Sequence, residues 1–170
     1  MNEYLAERDL WWPVSPELMD SYRDGSHTKK TSYGSLEWWK DGELHREDDK
    51  PAWIYADGAL EWLKNGDWHR DGDKPAVIDA DGSLRWYKNG LRHRDSDKPA
   101  TICPDGTLVW YKNDKLHRVT GPAVINPNNK HRYWINGVNV TKEVKSWLKT
   151  RKYKAPFTPE QAVEFTLTFG

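Results

Sequence analysis

Trp62-Leu63-Lys64-Asn65-Gly66-Asp67-Trp68-His69-Arg70-Asp71-Gly72-Asp73-Lys74-Pro75-Ala76-Val77-Ile78-Asp79-Ala80-Asp81-Gly82-Ser83-Leu84-Arg85 is one full cycle of a pattern that begins again at Trp86. Tryptophan recurs every 24 residues, at Trp38, Trp62, Trp86, Trp110 and Trp134. With it recur an Asx-Gly pair, His-Arg, Lys-Pro-Ala, an isoleucine and Asp-Gly-x-Leu. A fixed period of this length marks a unit that cannot bury its apolar face alone and stacks on its neighbours. Function is then to be sought on the faces of an array.

Two turn signals punctuate each unit: Asp57-Gly58, Asp81-Gly82 and Asp105-Gly106 on one side, Asp41-Gly42, Asn65-Gly66 and Asn89-Gly90 on the other. Asx-Gly between apolar runs is the strongest local hairpin signal. A three-residue loop at Ala56-Asp57-Gly58, with Gly58 at positive φ, sets Ile54 opposite Leu60 and Ala52 opposite Trp62, so the apolar residues share one face. A two-residue loop would set Ile54 against Glu61 and turn the buried face over. At Asn65-Gly66 a two-residue loop pairs Trp62 with His69 and Leu63 with Trp68. Two stripes result. One repeats Ala, Ile, Leu, Trp and His and reads as core. The other carries Trp39/Leu44, Leu63/Trp68, Tyr87/Arg92 and Tyr111/Leu116; it varies from unit to unit yet stays aromatic, as a recognition face would.

The array occupies residues 33–140, flanked by an N-terminal capping segment, 1–32, and a C-terminal helical cap, 141–170. Ser15-Pro16-Glu17 predicts a short helix over 16–23 ending near Gly25, with Trp11, Trp12, Leu18 and Met19 as its apolar contribution. Its expected task is to cover the open edge of the first repeat. In the fourth unit Asp114 replaces the turn glycine, and Asn128-Asn129-Lys130-His131 restores the register. Thr141 reads as the N-cap of a helix over 141–152, and Thr158-Pro159-Glu160-Gln161 as a capping box starting a second one. Phe165, Leu167 and Phe169 either continue that helix or alternate as a strand. The number of strands per unit, two or three, is left open.

The chain has 170 residues, enough for one domain with a real core, with eleven Trp and eight Tyr but only three Phe. Rings with a polar edge suit half-buried sheet surfaces and interfaces. Twenty-six Lys and Arg balance twenty-six Asp and Glu, so no global field draws nucleic acid or an anionic membrane. Cys103 is the one cysteine, which excludes a disulfide framework and fits a reducing cytoplasm. No apolar run is long enough for a membrane helix, and the first residues lack the basic and apolar regions of a signal peptide.

The residues W-Y-K-N-G, then H-R, then P-A-x-I-x-x-D-G resemble the MORN-like β-hairpin repeats of proteins from tailed bacteriophages and large DNA viruses, over residues 33–148. The closing Trp134 to Thr141 resembles the way such arrays end. The resemblance implies a mainly β fold, a MORN-like antiparallel array of four to five hairpin units in a single-layer or coiled sheet with short helical caps. It implies no shared catalytic residue. Lys50-Pro51, Lys74-Pro75 and Lys98-Pro99 depart from the family's Gly-Pro, which Gly121-Pro122 keeps.

His45-Arg46, His69-Arg70, His93-Arg94 and His117-Arg118 invite a metal or phosphate site. Equivalent histidines two strands apart lie about 9–10 Å from one another, too far for one ion. Each histidine is instead expected to pack on its cross-strand Trp, and each arginine to pair with a carboxylate such as Glu61 or Asp71. The loops Glu47-Asp48-Asp49, Asp71-Gly72-Asp73 and Asp95-Ser96-Asp97 would repel phosphate and supply too few oxygens for calcium; they read as solvated turns. No catalytic motif, metal site or cofactor is expected. The expected function is a non-enzymatic viral accessory protein in the host cytoplasm that binds and modulates a host defence or regulatory protein. Its candidate binding residues are Trp39, Trp53, Trp68, Tyr87, Arg92 and Tyr111, with a basic rim of Lys149, Arg151 and Lys152. The alternative is a nucleotide or nucleic-acid binder that clamps bases between aromatic rings and arginines. No membrane partner is expected, and a homo-oligomer is left open.

Overall fold

The computed structural model describes residues 3–23, 28–128 and 130–170. The expected helix end at Gly25 and the register-restoring Asn129 lie outside the described residues. The fold is mainly β. The first three 24-residue units each contribute four strands of two residues, and the fourth contributes three with a single bridge at Arg132; they fall in two rows. Val77–Ile78 and Leu84–Arg85 belong to a nine-stranded antiparallel sheet, whereas Tyr87–Lys88 and Leu91–Arg92 form a separate hairpin, one of five such hairpins. The strands are short because each turn residue at positive φ interrupts the ladder within a few residues.

The turn chemistry sets both registers. Ile54 pairs with Leu60 across the loop closed by Gly58 at φ +93°, and Leu63 pairs with Trp68 across Asn65 (φ 51°) and Gly66 (φ 78°). Positive φ at both central residues is the turn whose twist matches paired strands, so Asn-Gly supplies it at low cost. Asp114 does the same at φ 62°, and its N–H reaches the Arg92 carbonyl just as Gly90 reaches that of Trp68. Ala52 departs from the expected pairing. Its N–H donates to the Glu61 carbonyl, and the Trp62 N–H turns to Ala76, further along its own unit, 2.8 Å away. Each Trp thus joins the two rows: Trp62 donates to the wide sheet and accepts from His69 in the small hairpin.

Trp38, Trp62, Trp86 and Trp110 are buried with Ile54, Leu60, Ile78, Leu84, Ile102 and Leu108 in one continuous core; Trp134 is half-buried at its end. The buried indole N–H groups of Trp62, Trp86 and Trp110 donate to the carbonyls of Asp49, Asp73 and Asp97 in the preceding unit, at 2.8–3.0 Å. A buried donor left without such an acceptor would cost about 1–3 kcal/mol. This bond explains why Trp, and not Phe, recurs.

The N-terminal segment covers the first sheet edge through Lys29–Lys30, which pairs with Leu36–Glu37, but its helical part goes elsewhere. It lies over the Ile, Leu and Trp face and spans several units. It comprises α1 (Glu3–Asp9) and α2 (Pro16–Tyr22), the latter capped by the Ser15 hydroxyl accepting from the Leu18 N–H. Tyr22 meets the edge of Trp62, Arg8 donates to the Gly82 carbonyl, and Tyr4 meets the edge of Trp110. The physical reason is area: a sheet with two faces exposes more apolar surface on a face than at an edge two residues long. Trp11, Trp12 and Met19 pack on this core, but Leu18 is exposed.

At the other end α3 (Thr141–Arg151) and α4 (Pro159–Phe169) close a second core of Tyr133, Ile135, Val144, Phe157 and Phe165. Thr141 is not the N-cap. Val140 holds that place, and the Thr141 hydroxyl accepts from the Tyr133 N–H instead. The capping box at Thr158 and Gln161 forms, and Phe165 and Phe169 continue as helix with Leu167 exposed. No described helix is long and apolar enough to cross a membrane.

Candidate binding face

Arg70, Arg94 and Arg118 of the His-Arg pairs do meet carboxylates as expected, but the arginines also take the place on tryptophan expected of the histidines. It is the arginine that lies on the tryptophan: Arg46 on Trp38, Arg70 on Trp62, Arg94 on Trp86 and Arg118 on Trp110, with 3.6–3.9 Å from guanidinium carbon to ring centroid. The carboxylate comes from the preceding unit, not from Glu61 or Asp71. Arg70 reaches Asp49 at 2.7 Å, Arg94 reaches Asp73 at 2.7 Å, and Arg118 reaches Asp97 at 2.9 Å. Glu7 of α1 completes the Arg94 cluster. A planar guanidinium can stack and donate a fork of bonds at once, which an imidazole cannot. Burial pushes the carboxyls of Asp49 and Asp73 up, but bonds from Arg70 and Lys74, and from Arg94 and Lys98, outweigh it and hold both below the usual range.

The acidic loops are therefore not plain solvated turns. Their last acid binds the next unit's arginine, and Lys74 and Lys98 add a second cation to Asp49 and Asp73 at 2.6 and 2.7 Å. Their first acid, Glu47, Asp71 or Asp95, meets Nε2 of its own unit's histidine at 2.8–3.0 Å. The Nδ1 atoms of His45, His69, His93 and His117 face the backbone N–H of Asn65, Asn89, Asn113 and Asn136 in the next unit. Both ring nitrogens of His45, His69 and His93 are thus engaged in structure, as is Nδ1 of His117. Among the described residues no group of three or more His, Cys, Asp or Glu is placed to hold a metal ion. The clefts between units, about 260 and 280 Å³, are lined by these same paired groups.

Turning the sheet over brings up a different surface. Along its second face the cross-strand partners run Lys29, Glu37, Trp53, Glu61, Val77, Arg85, Thr101, Val109 and Val124. The small hairpins bend their aromatics onto this row. The indole N–H of Trp39 donates to Glu37 at 2.8 Å, and that of Trp68 to Glu61 at 2.9 Å. Trp53 stacks on Tyr55, centroids 4.7 Å apart and planes 7° from parallel. Trp68 contacts Tyr87 at 5.1 Å, and Arg92 lies 5.4 Å from the Tyr87 ring and 5.0 Å from that of Tyr111 while donating to the Tyr87 hydroxyl. Trp39 and Trp68 remain 39% and 37% exposed, so the ladder is half open to solvent.

All six aromatic and arginine residues singled out from the sequence therefore lie on, or bend onto, this face. The carboxylates that orient Trp39 and Trp68, Glu37 and Glu61, were not among them. The signal was available in the parity of the strands, since Trp53 and Glu61 face each other once the three-residue loop is granted. Burial, with the nearby carboxylates, pushes both the Glu61 carboxyl and the Tyr55 phenol up, and burial raises Asp79 despite its 2.7 Å pair with Arg85. The basic rim is separate from this face in chain position and less free than its composition suggests. Arg151 pairs with Glu164 at 2.8 Å and Lys152 is the left-handed C-cap of α3; Lys149 is exposed.

Comparison with known proteins adds no identity: no protein family, curated protein or solved structure matches this chain.

Proposed function

We propose that this chain is a non-enzymatic binding protein that engages a partner protein through the aromatic ladder on the second face of its sheet. The observation that carries this reading is the contact series Trp68, Tyr87, Arg92 and Tyr111, flanked by Trp39 and the Trp53–Tyr55 stack. Half-exposed Trp, Tyr and Arg held in fixed contact are the residue types that dominate binding energy at protein interfaces. Their rings lose little freedom when a partner covers them, because stacking has already ordered them. The resemblance of the repeat to viral hairpin arrays suggests the setting, an accessory factor acting on a host defence or regulatory protein in the host cytoplasm.

The nucleotide alternative loses its main support, because Arg70, Arg94 and Arg118 are buried on tryptophans and saturated by aspartates instead of forming an open anionic clamp. Affinity capture from bacterial lysate with the tagged chain tests the proposal, run beside a Trp39→Ala, Trp68→Ala, Tyr111→Ala triple variant. A saturable partner retained by the wild type and lost by the variant is the expected result. No saturable partner, or equal capture by both chains, would overturn it.

A further inference from the structure

We infer that Glu61 receives a cationic side chain of the partner protein, an arginine or a lysine, in a slot between its carboxylate and the rings of Tyr55 and Trp68. This rests on the proposed function and names the chemistry of the partner. The charges along the second face carry the argument. Glu37, one unit earlier at the same repeat position, pairs with Lys29 at 3.3 Å. Arg85, one unit later, pairs with Asp79 at 2.7 Å. Val109, one further, has no charge. Among these charged residues Glu61 alone makes no ion pair with any described residue. Its oxygens accept only neutral donors, the Trp68 indole at 2.9 Å and the Tyr55 hydroxyl at 3.3 Å.

A half-buried carboxylate without a counter-charge is held at a cost in folding free energy. Asp79 adds a negative charge nearby; Arg85 offsets it in part, but its close pair is with Asp79 and not with Glu61. A cation entering beside Glu61 would relieve both. The neighbouring rings suit one: Tyr55 is stacked flat on Trp53, and Trp68 is 37% exposed to solvent. Ring faces attract cations, and a site from which water is partly excluded strengthens that attraction. A guanidinium can meet the carboxylate through two N–H groups while lying on a ring, so arginine is expected to bind more tightly than lysine.

The test uses the full chain labelled with 15N, reading the indole N–H signals of Trp39, Trp53 and Trp68 while hexaarginine, hexalysine or hexaglutamate is added. Hexaarginine should move the Trp68 signal saturably and more tightly than hexalysine, and hexaglutamate should not move it. Glu61→Gln keeps an acceptor for Trp68 and removes the charge, so it should weaken hexaarginine by about tenfold or more, the loss of one charge-assisted contact. Glu143→Gln, on the exposed side of α3, should bind as the wild type does. A Trp68 signal indifferent to hexaarginine, or Glu61→Gln binding within about twofold of wild type, would overturn the inference. The captured partner separates the two levels of argument. If it binds Glu61→Gln undiminished but not the triple aromatic variant, the cation slot falls and the aromatic face stands; if it binds both undiminished, both fall.

Discussion

The two faces of the nine-stranded sheet are built from the same strands, and they differ in how strictly they repeat. On one, Ile54, Leu60, Ile78, Leu84, Ile102 and Leu108 alternate without exception and are at most 2% exposed. On the other, the equivalent positions hold Trp53, Glu61, Val77, Arg85, Thr101 and Val109. The first face is covered by the chain's own N-terminal helices, so its residues answer to packing, which demands the same shape in each unit. The second is half covered by ring side chains alone, so each unit can carry different chemistry on the same frame. Repetition in this protein tracks what must be filled, and variation tracks what is presented.

The sharpest way to break that comparison is to cut one residue from each face at neighbouring positions. Trp86→Ala should destabilise the fold by about 3–5 kcal/mol, the range for emptying a large buried aromatic site. It also leaves the Asp73 carbonyl without its donor. Tyr87→Ala, one residue along and half-buried, should cost only about 1 kcal/mol. Equal losses in urea unfolding would mean that the faces are misassigned.

The arginine that locks one unit to the previous one should come next. Arg94→Met keeps some packing on Trp86 but strands Glu7 and leaves Asp73 with Lys98 alone, and should cost about 3 kcal/mol, at the low end for a broken buried pair because Asp73 is half exposed and keeps one cation. His93→Gln, whose imidazole is partly exposed, should cost less, which reverses the order expected had histidine been the residue stacked on tryptophan.

Acid should separate the faces in sign. Asp49 and Asp73 have folded pKa values below their unfolded ones, so their contribution is present above the ordinary carboxylate range and is lost as pH falls through the folded values. Glu61 and Asp79 are raised, so the folded chain takes up their protons first and gains stability as pH falls through their folded values. Glu61→Gln should therefore raise the melting temperature at neutral pH, and the gain should shrink as the solution is acidified and the wild-type carboxyl protonates in the fold. A Glu61→Gln variant less stable at neutral pH would show that the charge is compensated after all.

The smallest effect on stability is expected at the tail. Charge reversal at Lys149, Arg151 and Lys152 removes one exposed pair, Arg151 with Glu164, worth under about 1 kcal/mol. It should slow association with an acidic partner at low salt while barely changing the melting temperature. An unchanged association rate would confine the contact to the sheet's second face, where Glu61 is the acid without an ion pair and a basic partner is called for.

The period, the two turn types, the pairing of Ile54 with Leu60 and of Leu63 with Trp68, and the burial of the repeated tryptophans were all legible in the residues. Each depends on contacts within a few positions of a turn, where Asn-Gly or Asp-Gly leaves the backbone few choices and a slip of one residue would invert the buried face. The arginine on its tryptophan, its aspartate 21 residues earlier, the histidine bridging to the next turn, and the helices lying across several units were not. These contacts join units that are separate in sequence and adjacent in space. Alternation along a strand says which face a side chain takes, but only the stacking of whole units decides which charges meet there and which, like Glu61, are met by neutral donors in place of an ion pair.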